Sequence, residues 1–258
     1  MAVFLRSFIA TLILLLGSFS ATAAGTASAS ISNVHFGTLD LTPDDGAAPG
    51  YGVLSADSSL FASLYAATAD YYASGYPGAN RPGAVQLGHG ASAASALTSG
   101  ALGNVATFAT GDASLGDHGT IGATASQALH FMLQPHTVLA ISGHFATAAS
   151  RSSLPGEYLE VVGMAYVGIV DEHGDTFTQF VRQSLAYADW PDRMTVEDDF
   201  MLAFANGSAE MRPVSVYFQA LSNVTYVATP VPEPSVLGML CAGLLLMGRR
   251  VATCRRAR

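Results

Sequence analysis

Seven histidines are the residues of this chain best suited to acid–base or metal chemistry. They are spread singly along the sequence. None forms a His-Glu-x-x-His or His-x-x-x-His pair, and no Gly-x-Ser-x-Gly nucleophile motif is present. Such spacings matter because they place two metal ligands, or a nucleophile, on one small piece of structure. We therefore expect histidines that sit in strands, loops and turns without binding a metal: His35, His89, His118, His130, His136, His144 and His173.

Carboxylates form two clusters, and calcium binding is the chemistry that such clusters could perform. A Ca²⁺ site needs several oxygens converging at about 2.4 Å, and neither cluster matches a calcium-loop pattern. Solvated acidic segments are the simpler interpretation, so we expect no metal and no cofactor. The clusters are Asp171, Glu172 and Asp175 in a turn, and Glu197, Asp198 and Asp199 in a strand.

Polysaccharide hydrolysis is the enzymatic alternative. It requires two carboxyl groups about 5–10 Å apart, which any two of the acidic residues could supply, so the sequence selects no pair. Trp190 is the only tryptophan, which leaves few rings for stacking on sugars. The sequence therefore favours a non-enzymatic surface or matrix protein associated with polysaccharide. A secreted polysaccharide hydrolase and a carbohydrate-binding β-sandwich remain the alternatives.

The charge of the chain is concentrated in residues 24–229, which we call the body. Eighteen of the 19 acidic residues and five of the 11 arginines lie there, and the chain has no lysine, so the body carries a formal charge of about −13. Binding of DNA or RNA is excluded, because it depends on basic side chains that neutralise phosphates. Both cysteines, Cys241 and Cys254, lie outside the body. No disulfide can therefore stabilise it.

The first 23 residues have the features of a cleaved export signal. Arg6 precedes an apolar run from Phe8 to Leu16, and Ala21-Thr22-Ala23 fits the small-x-small pattern of a signal peptidase site, with Ala21 and Ala23 as its small residues. The apolar run is shorter than the ~20 residues that a membrane span needs. We expect signal peptidase to remove residues 1–23 during export.

Residues 230–258 consist of three parts in a fixed order. Pro232-Glu233-Pro234 is kept extended by its prolines, as a protease cleft requires. An apolar segment, Ser235 to Gly248, is predicted to form a short transmembrane helix. Arg249 and Arg250 begin a cluster of five arginines that holds the end of the chain on the cytoplasmic side.

This order of Pro-Glu-Pro motif, apolar helix and arginine cluster resembles the PEP-CTERM sorting signal. The family occurs in Gram-negative bacteria that make exopolysaccharide and biofilm. The resemblance implies that exosortase, a membrane enzyme, recognises Pro232, Glu233 and Pro234 and processes an inner-membrane-anchored precursor. It further implies Arg249 and Arg250 as the cytoplasmic stop, and the cell surface or extracellular matrix as the destination. A sorting signal assigns no activity to the body.

The body itself is predicted to be an antiparallel β-sandwich or jelly roll. Apolar residues alternate with polar ones in five segments, and turn residues separate these segments. Val161 to Val170 and Phe177 to Tyr187 should form a hairpin across a five-residue turn. The alternating segments are 121–125, 129–133, 138–145, 196–204 and 214–218.

Three further stretches are harder to interpret. Pro43 to Gly52 is rich in Asp, Gly and Pro and should be a surface loop. Ser55 to Gly75 could be a short helix with Asp57 as its N-cap, or alanine-rich strands. Gly75 to Ser99 is interpreted as a Gly/Ala/Ser loop region.

Replacing Glu233 with Ala tests the sorting signal. We expect signal peptide cleavage to proceed and an uncut precursor to accumulate in the inner membrane, because the motif is no longer read. Intact-mass analysis of exported and membrane fractions measures both steps. Release of Glu233→Ala at the wild-type yield would show that the motif has no role in processing.

Overall fold

The computed structural model describes residues 24–66, 69–78, 80–112, 115, 118–152, 158–171, 176–187 and 191–227. These ranges form twelve β-strands and contain no α-helix, and therefore no helix that could cross a membrane. The prediction of an all-β body is confirmed. The predicted signal peptide, the predicted sorting motif, the predicted transmembrane helix with its arginine cluster, and Trp190 lie outside the described residues.

The strands are 7 to 17 residues long. They are β1 (Ala24–Asp40), β2 (Tyr51–Ala66), β3 (Ala69–Gly75), β4 (Gly83–His89), β5 (Ser92–Thr98), β6 (Val105–Asp112), β7 (His118–Leu133), β8 (Thr137–Ser152), β9 (Tyr158–Val170), β10 (Thr176–Ala186), β11 (Arg193–Asn206) and β12 (Arg212–Val227).

Two antiparallel six-stranded sheets pack face to face in a sandwich-like arrangement. The first sheet has the strand order β11-β8-β1-β6-β5-β4 and the second has the order β10-β9-β12-β7-β2-β3. The strands of 16 or 17 residues, β1 and β8 in one sheet and β2, β7 and β12 in the other, lie in the interior of their sheets. Alternation of apolar and polar residues gives each of these strands one buried face, as in β7, where Ile121, Ala125 and Leu129 are fully buried.

Small side chains line the inner faces where the sheets lie closest together. At Gly163 on β9, an added Cβ would lie 2.4 Å from the carbonyl oxygen of Ser28 and 2.8 Å from that of Ala148, both in the first sheet. Backbone therefore approaches backbone across the core at this point, and only glycine fits. Buried alanines extend this thin region on both sheets: Ala27, Ala29, Ala109, Ala149, Ala165 and Ala220.

Two pairs of hydroxyl groups connect the sheets through the core. Thr107 on β6 is hydrogen-bonded to Ser222 on β12 at 2.8 Å, and Thr147 on β8 is hydrogen-bonded to Ser184 on β10 at 2.8 Å. All four residues are buried. Because a buried hydroxyl without a partner is costly, each pair favours one alignment of the two sheets.

Phenylalanine rings fill the core where the sheets lie farther apart. Phe145 on β8 stacks on Phe200 of β11 with ring centroids 4.7 Å apart, and Phe180 of β10 lies 5.6 Å from Phe145. A second group joins Phe36 on β1 to Phe131 on β7 at 5.4 Å and to Phe218 on β12 at 6.3 Å. Both groups connect the two sheets.

The long edges of the sandwich are closed by polar and aromatic contacts. Between β10 and β11, Arg182 Nε donates to Asp198 Oδ2 at 2.8 Å, and the guanidinium lies 4.1 Å from the centroid of the Phe180 ring. Between β3 and β4, the rings of Tyr71 and His89 stack with centroids 5.9 Å apart. These contacts hold together edge strands that belong to different sheets.

The hairpin and first-loop predictions agree with the structure. β9 ends at Val170 and pairs with β10 from Thr176, so five residues connect the two strands as predicted. The stretch between β1 and β2 is a loop, although it ends at Gly50 rather than at Gly52.

Of the two alternatives for Ser55 to Gly75, alanine-rich strands are confirmed and the helix capped by Asp57 is wrong. β2 and β3 occupy the stretch, and Leu60, Ala62 and Leu64 alternate into the core with a period of two. Gly75 to Ser99 is not a loop region, because it contains β4 and β5. The space between the sheets is narrow at β5, and small residues such as alanine and serine fit it. The segment therefore lacks the large side chains that usually mark a strand.

Gly163→Ala tests the close approach of the sheets. We expect a loss of about 1–3 kcal/mol in the free energy of unfolding, because the new methyl group meets backbone atoms that cannot rotate away. Gly37→Ala is the matched control, since nothing lies within 4 Å of its added Cβ. It should leave stability unchanged or raise it by about 0.5 kcal/mol. Denaturant unfolding measures both variants, and equal stabilities would contradict the proposed contact.

Candidate functional site

The outward face of the second sheet carries a row of polar and aromatic side chains that crosses four strands. Tyr166 on β9 pairs in register with Gln219 on β12, which pairs with Ser126 on β7, which pairs with Ser59 on β2. Paired residues of antiparallel strands point to the same side of a sheet. The core-facing neighbours of this row, such as Ala125 and Ala220, are buried, so the row itself faces solvent.

A cavity of 540 Å³ lies over this row. Its floor is formed by small or flexible side chains, and tyrosine rings stand on two sides, with Tyr166 and Tyr217 at one side and Tyr76, just after β3, at the other. We call it the tyrosine trough, and its outward-facing lining consists of Asp57, Ser59, Tyr76, Ser126, Ala128, Tyr166, Tyr217 and Gln219.

Gly168 sets the position of one tyrosine ring of the trough. A Cβ added at Gly168 would lie 2.1 Å from the Tyr166 hydroxyl oxygen, so the ring of Tyr166 extends along β9 over the glycine. Gly168 pairs in register with Tyr217 on β12. The two tyrosines are therefore brought together beside a residue that has no side chain of its own.

Tyr217 also packs against His130. Their rings are perpendicular, with centroids 6.4 Å apart, which is a favourable arrangement of aromatic rings. His130 Nδ1 is in turn hydrogen-bonded to the hydroxyl of Ser215 at 2.7 Å. The tyrosine is thus held by a neighbour that itself has a fixed orientation.

Behind the floor, a buried glutamine ties three segments together. The Gln127 side-chain amide donates to the Ser58 hydroxyl at 3.1 Å, and its oxygen accepts a hydrogen bond from the Gly103 backbone N–H. Gly103 belongs to the segment between β5 and β6 of the first sheet. The base of the trough is therefore anchored to the opposite sheet.

Asp57 is the carboxylate in the trough lining. It is exposed and has no hydrogen bond or ion pair among the described residues. Through the register of β2, β7 and β12, Asp57 and Tyr217 lie on either side of Ala128. Two strand spacings separate their backbones, or about 10 Å, and the small alanine leaves the space between them open.

A second depression, of 350 Å³, lies on the outward face of the first sheet. His144 Nδ1 is hydrogen-bonded to Asp199 Oδ1 at 2.8 Å, and His35 and Ser142 contribute to the same lining. β1 is bulged beside them, because its register with β8 shifts between Ser32 and His35, and Asn33 has a φ of 54°. A histidine oriented by a carboxylate is the arrangement of a general base.

The carboxylate clusters that the sequence offers as possible metal ligands do not come together at one site. Asp198 pairs with Arg182, Asp199 with His144, and Glu197 lies at an exposed position of β11. Asp171 is described, whereas Glu172, His173 and Asp175 lie outside the described residues. Within the described ranges, no three His, Cys, Asp or Glu side chains are grouped closely enough to hold a metal ion.

Two ionisable groups away from the trough have shifted pKa values. A hydrogen bond of 2.6 Å from the Thr42 hydroxyl, with a second of 2.7 Å from the Ala47 N–H, lowers the pKa of Asp45 by stabilising its charged form. Tyr158 donates a hydrogen bond of 3.0 Å to Glu160, and this bond raises the pKa of the phenol. Asp45 lies in the loop after β1 and Tyr158 at the start of β9.

Sequence reasoning did not identify the tyrosine trough. Its residues come from four separate strands and the segment after β3, so no motif links them. From the sequence alone, Asp57 is a candidate only for a helix cap, and Trp190 rather than a tyrosine is the candidate for stacking on sugars. The available signal was a tyrosine at an outward position of two predicted strands, namely Tyr166 and Tyr217.

Comparisons with known proteins add no functional information. No protein-family model matches the chain, and no curated protein matches it. Among solved structures, a chain from the structure of infectious bursal disease virus, Gt strain, aligns with 10% sequence identity over 90% of this chain and 74% of that chain. The TM-score of 0.12 is too low to support any argument about fold or function.

Gly168→Ala tests how the trough is built. We expect the Tyr166 ring to move away from Tyr217, because the new methyl group occupies the position of its hydroxyl, while the fold remains intact because a terminal side-chain atom can yield. Tyrosine ring resonances in NMR spectra should shift for Tyr166 and Tyr217. Gly37→Ala should leave these resonances in place, and unchanged resonances in Gly168→Ala would show that the ring does not lie over the glycine.

Proposed function

We propose that this protein is an exported, exosortase-processed protein of the cell surface or extracellular matrix whose body binds polysaccharide without hydrolysing it. The tyrosine trough is the observation that carries this proposal. It is open to solvent and is lined by aromatic rings, hydroxyl groups and an amide. It extends over several strands of the second sheet, which is anchored to the first sheet.

The chemistry of the trough suits a sugar chain. Each sugar ring has an apolar face of C–H groups and a rim of hydroxyl groups. Tyrosine rings such as Tyr166 and Tyr217 supply flat apolar surfaces with a polar tip. Ser59, Ser126 and Gln219 supply donors and acceptors for the hydroxyl groups. Three strand spacings from Tyr166 to Ser59, about 14 Å, give room for more than one sugar unit.

The delivery part of the proposal rests on the sequence. The residues that the structure describes begin at Ala24 and end at Val227, between the predicted signal peptidase site and the Pro-Glu-Pro motif. Removal of the predicted signal peptide or processing at the motif would leave every described strand whole. The predicted transmembrane helix serves as the membrane anchor of the precursor.

Both ends of the body emerge at the same end of the sandwich. Ala24 pairs with Asp112 and Ser152, and Val227 pairs with His118 and Tyr158. β7 follows β6 and β9 follows β8 at that end. An anchor at either end of the body would therefore hold the same end of the sandwich towards the membrane.

Hydrolysis is the second candidate function, and the His144–Asp199 pair is the observation that favours it. His144 faces an open depression next to Ser142 and the bulge of β1, a position in which it could activate a nucleophile or a water molecule. We prefer binding without hydrolysis, because the aromatic side chains expected of a sugar-binding site lie on the other sheet.

Binding and hydrolysis are separated by one experiment with the host exopolysaccharide. We expect the full-length protein to co-sediment with the polymer and to leave its size unchanged after prolonged incubation, as judged by size-exclusion chromatography. Tyr166→Ala combined with Tyr217→Ala should lower the affinity about tenfold, because two stacking surfaces are lost.

Tyr72→Ala is the matched control for this experiment. Tyr72 lies on the same face of the second sheet but outside the trough, paired with Ser63, and is 76% exposed. Its loss should not affect binding. Equal affinities of the double variant and the wild type would contradict the assignment of the trough. A fall in polymer size that His144→Ala abolishes would establish hydrolysis instead.

A further inference from the structure

We propose that the tyrosine trough selects polysaccharides that carry protonated amino groups, such as polymers of glucosamine. This inference rests on the proposed function and specifies the ligand class of the same site. It follows from the charge of the surface around the trough and from the position of Asp57 relative to the tyrosine rings.

The charged side chains on the outward face of the second sheet favour a cation. Asp57 lines the trough. The pairing of β3, β2, β7, β12 and β9 places Asp70 and Glu160 on the same face, in the outward row through Tyr65. That row lies six residues along β2 from Ser59, or about 20 Å. The body as a whole has a formal charge of about −13. A polyanionic glycan would be repelled from such a surface.

The structure describes all five arginines of the body, and none of them belongs to the trough lining. The negative charge of Asp57 is therefore not offset there. Arg182 is paired with Asp198 at the β10–β11 edge, and Arg151 with Asp192 beside the first sheet. The others are at the ends of strands or in a loop: Arg193 begins β11, Arg212 begins β12, and Arg81 precedes β4.

The space above Ala128 is suited to an ammonium group. Asp57 borders it on one side and Tyr217 on the other. A carboxylate attracts the charge directly, and the electron-rich face of a tyrosine ring attracts it through its quadrupole. Asp57 has no competing hydrogen bond or ion pair among the described residues, so a ligand amine displaces no partner.

A neutral sugar would use only part of this arrangement. It would stack on the tyrosines and hydrogen-bond to the serines, but it would leave the carboxylate of Asp57 with neutral hydroxyl donors. A hydrogen bond from a neutral hydroxyl to a carboxylate is already charge-assisted, but a protonated amine adds the direct attraction between two opposite charges. We therefore expect the same sugar backbone to bind more tightly with a free amine than with an acetylated one.

Matched oligosaccharides test this selectivity. Glucosamine tetramer and N-acetylglucosamine tetramer share one backbone and differ in the charge of the amino groups. Titration calorimetry with the full-length protein in mildly acidic buffer, in which the amines are protonated, should give tighter binding of the glucosamine tetramer. That preference should shrink as salt is added, since salt screens exposed charges.

Asp57→Asn removes the carboxylate with little change in shape. We expect it to weaken binding of the glucosamine tetramer about twofold to fivefold, the range for an exposed charge pair, and to leave binding of the acetylated tetramer unchanged. Asp70→Asn removes one charge from the same face outside the trough and is the control for general electrostatics. Ala128→Leu fills the space between Asp57 and Tyr217 and should weaken binding of both tetramers.

The possible results separate this inference from the proposed function. Equal affinities for the two tetramers, or equal effects of Asp57→Asn and Asp70→Asn, would overturn selection by charge at Asp57 and leave the trough as a polysaccharide site. Preference for a polyuronate would also overturn it. Failure of the wild-type protein to bind either tetramer or the host exopolysaccharide would overturn the proposed function itself.

Discussion

The near contact of two backbones at Gly163 constrains the rest of this structure. Because the carbonyl groups of Ser28 and Ala148 lie where a Cβ would be, only glycine can occupy the position while the two sheets lie this close together. Most neighbouring inward positions hold small residues, such as Ala165 on the same strand and Ser184 and Ser222 on the paired strands. Larger rings such as Phe145 and Phe218 can fill the core only away from this point. The outward-facing rows of residues on the second sheet, including those of the trough, have a fixed position relative to Gly163.

Part of this architecture could be predicted from the sequence, and the reason differs between segments. Large apolar residues alternate with polar ones in β7, β8 and β10 to β12, and β9 is apolar on both faces, so the sequence predicts strands in this half. The sequence does not predict β4 and β5. The inward positions of β5 include Ala94 and Ala96, which the narrow gap requires and which carry no strand signal of their own. In β4, only Val85 and Leu87 pack against the core. In β2, Leu60, Leu64 and the tyrosines also fit a helical spacing, and only pairing with β7 shows which period applies.

The trough could not be predicted because it depends on register. Asp57, Ala128 and Tyr217 are neighbours only because three strands are aligned at those residues, and a shift of one residue would turn each side chain to the opposite face. The hydroxyl pairs Thr107–Ser222 and Thr147–Ser184 help to fix the alignment of the sheets from within the core. Polar residues in the interior thus contribute to the geometry of a surface site that they do not touch.

β12 connects the trough to the C-terminal end of the body, and this has a mechanical consequence. Tyr217 and Gln219 lie on this strand, and each residue from Arg212 to Val227 has a register partner on β7, while most also have one on β9. In the proposed role, a pull from a bound polymer would pass along β12 to an anchor beyond Val227. Its hydrogen bonds on both sides would then be loaded together in shear rather than opened one at a time. The strand that holds the ligand would be the one hardest to extract.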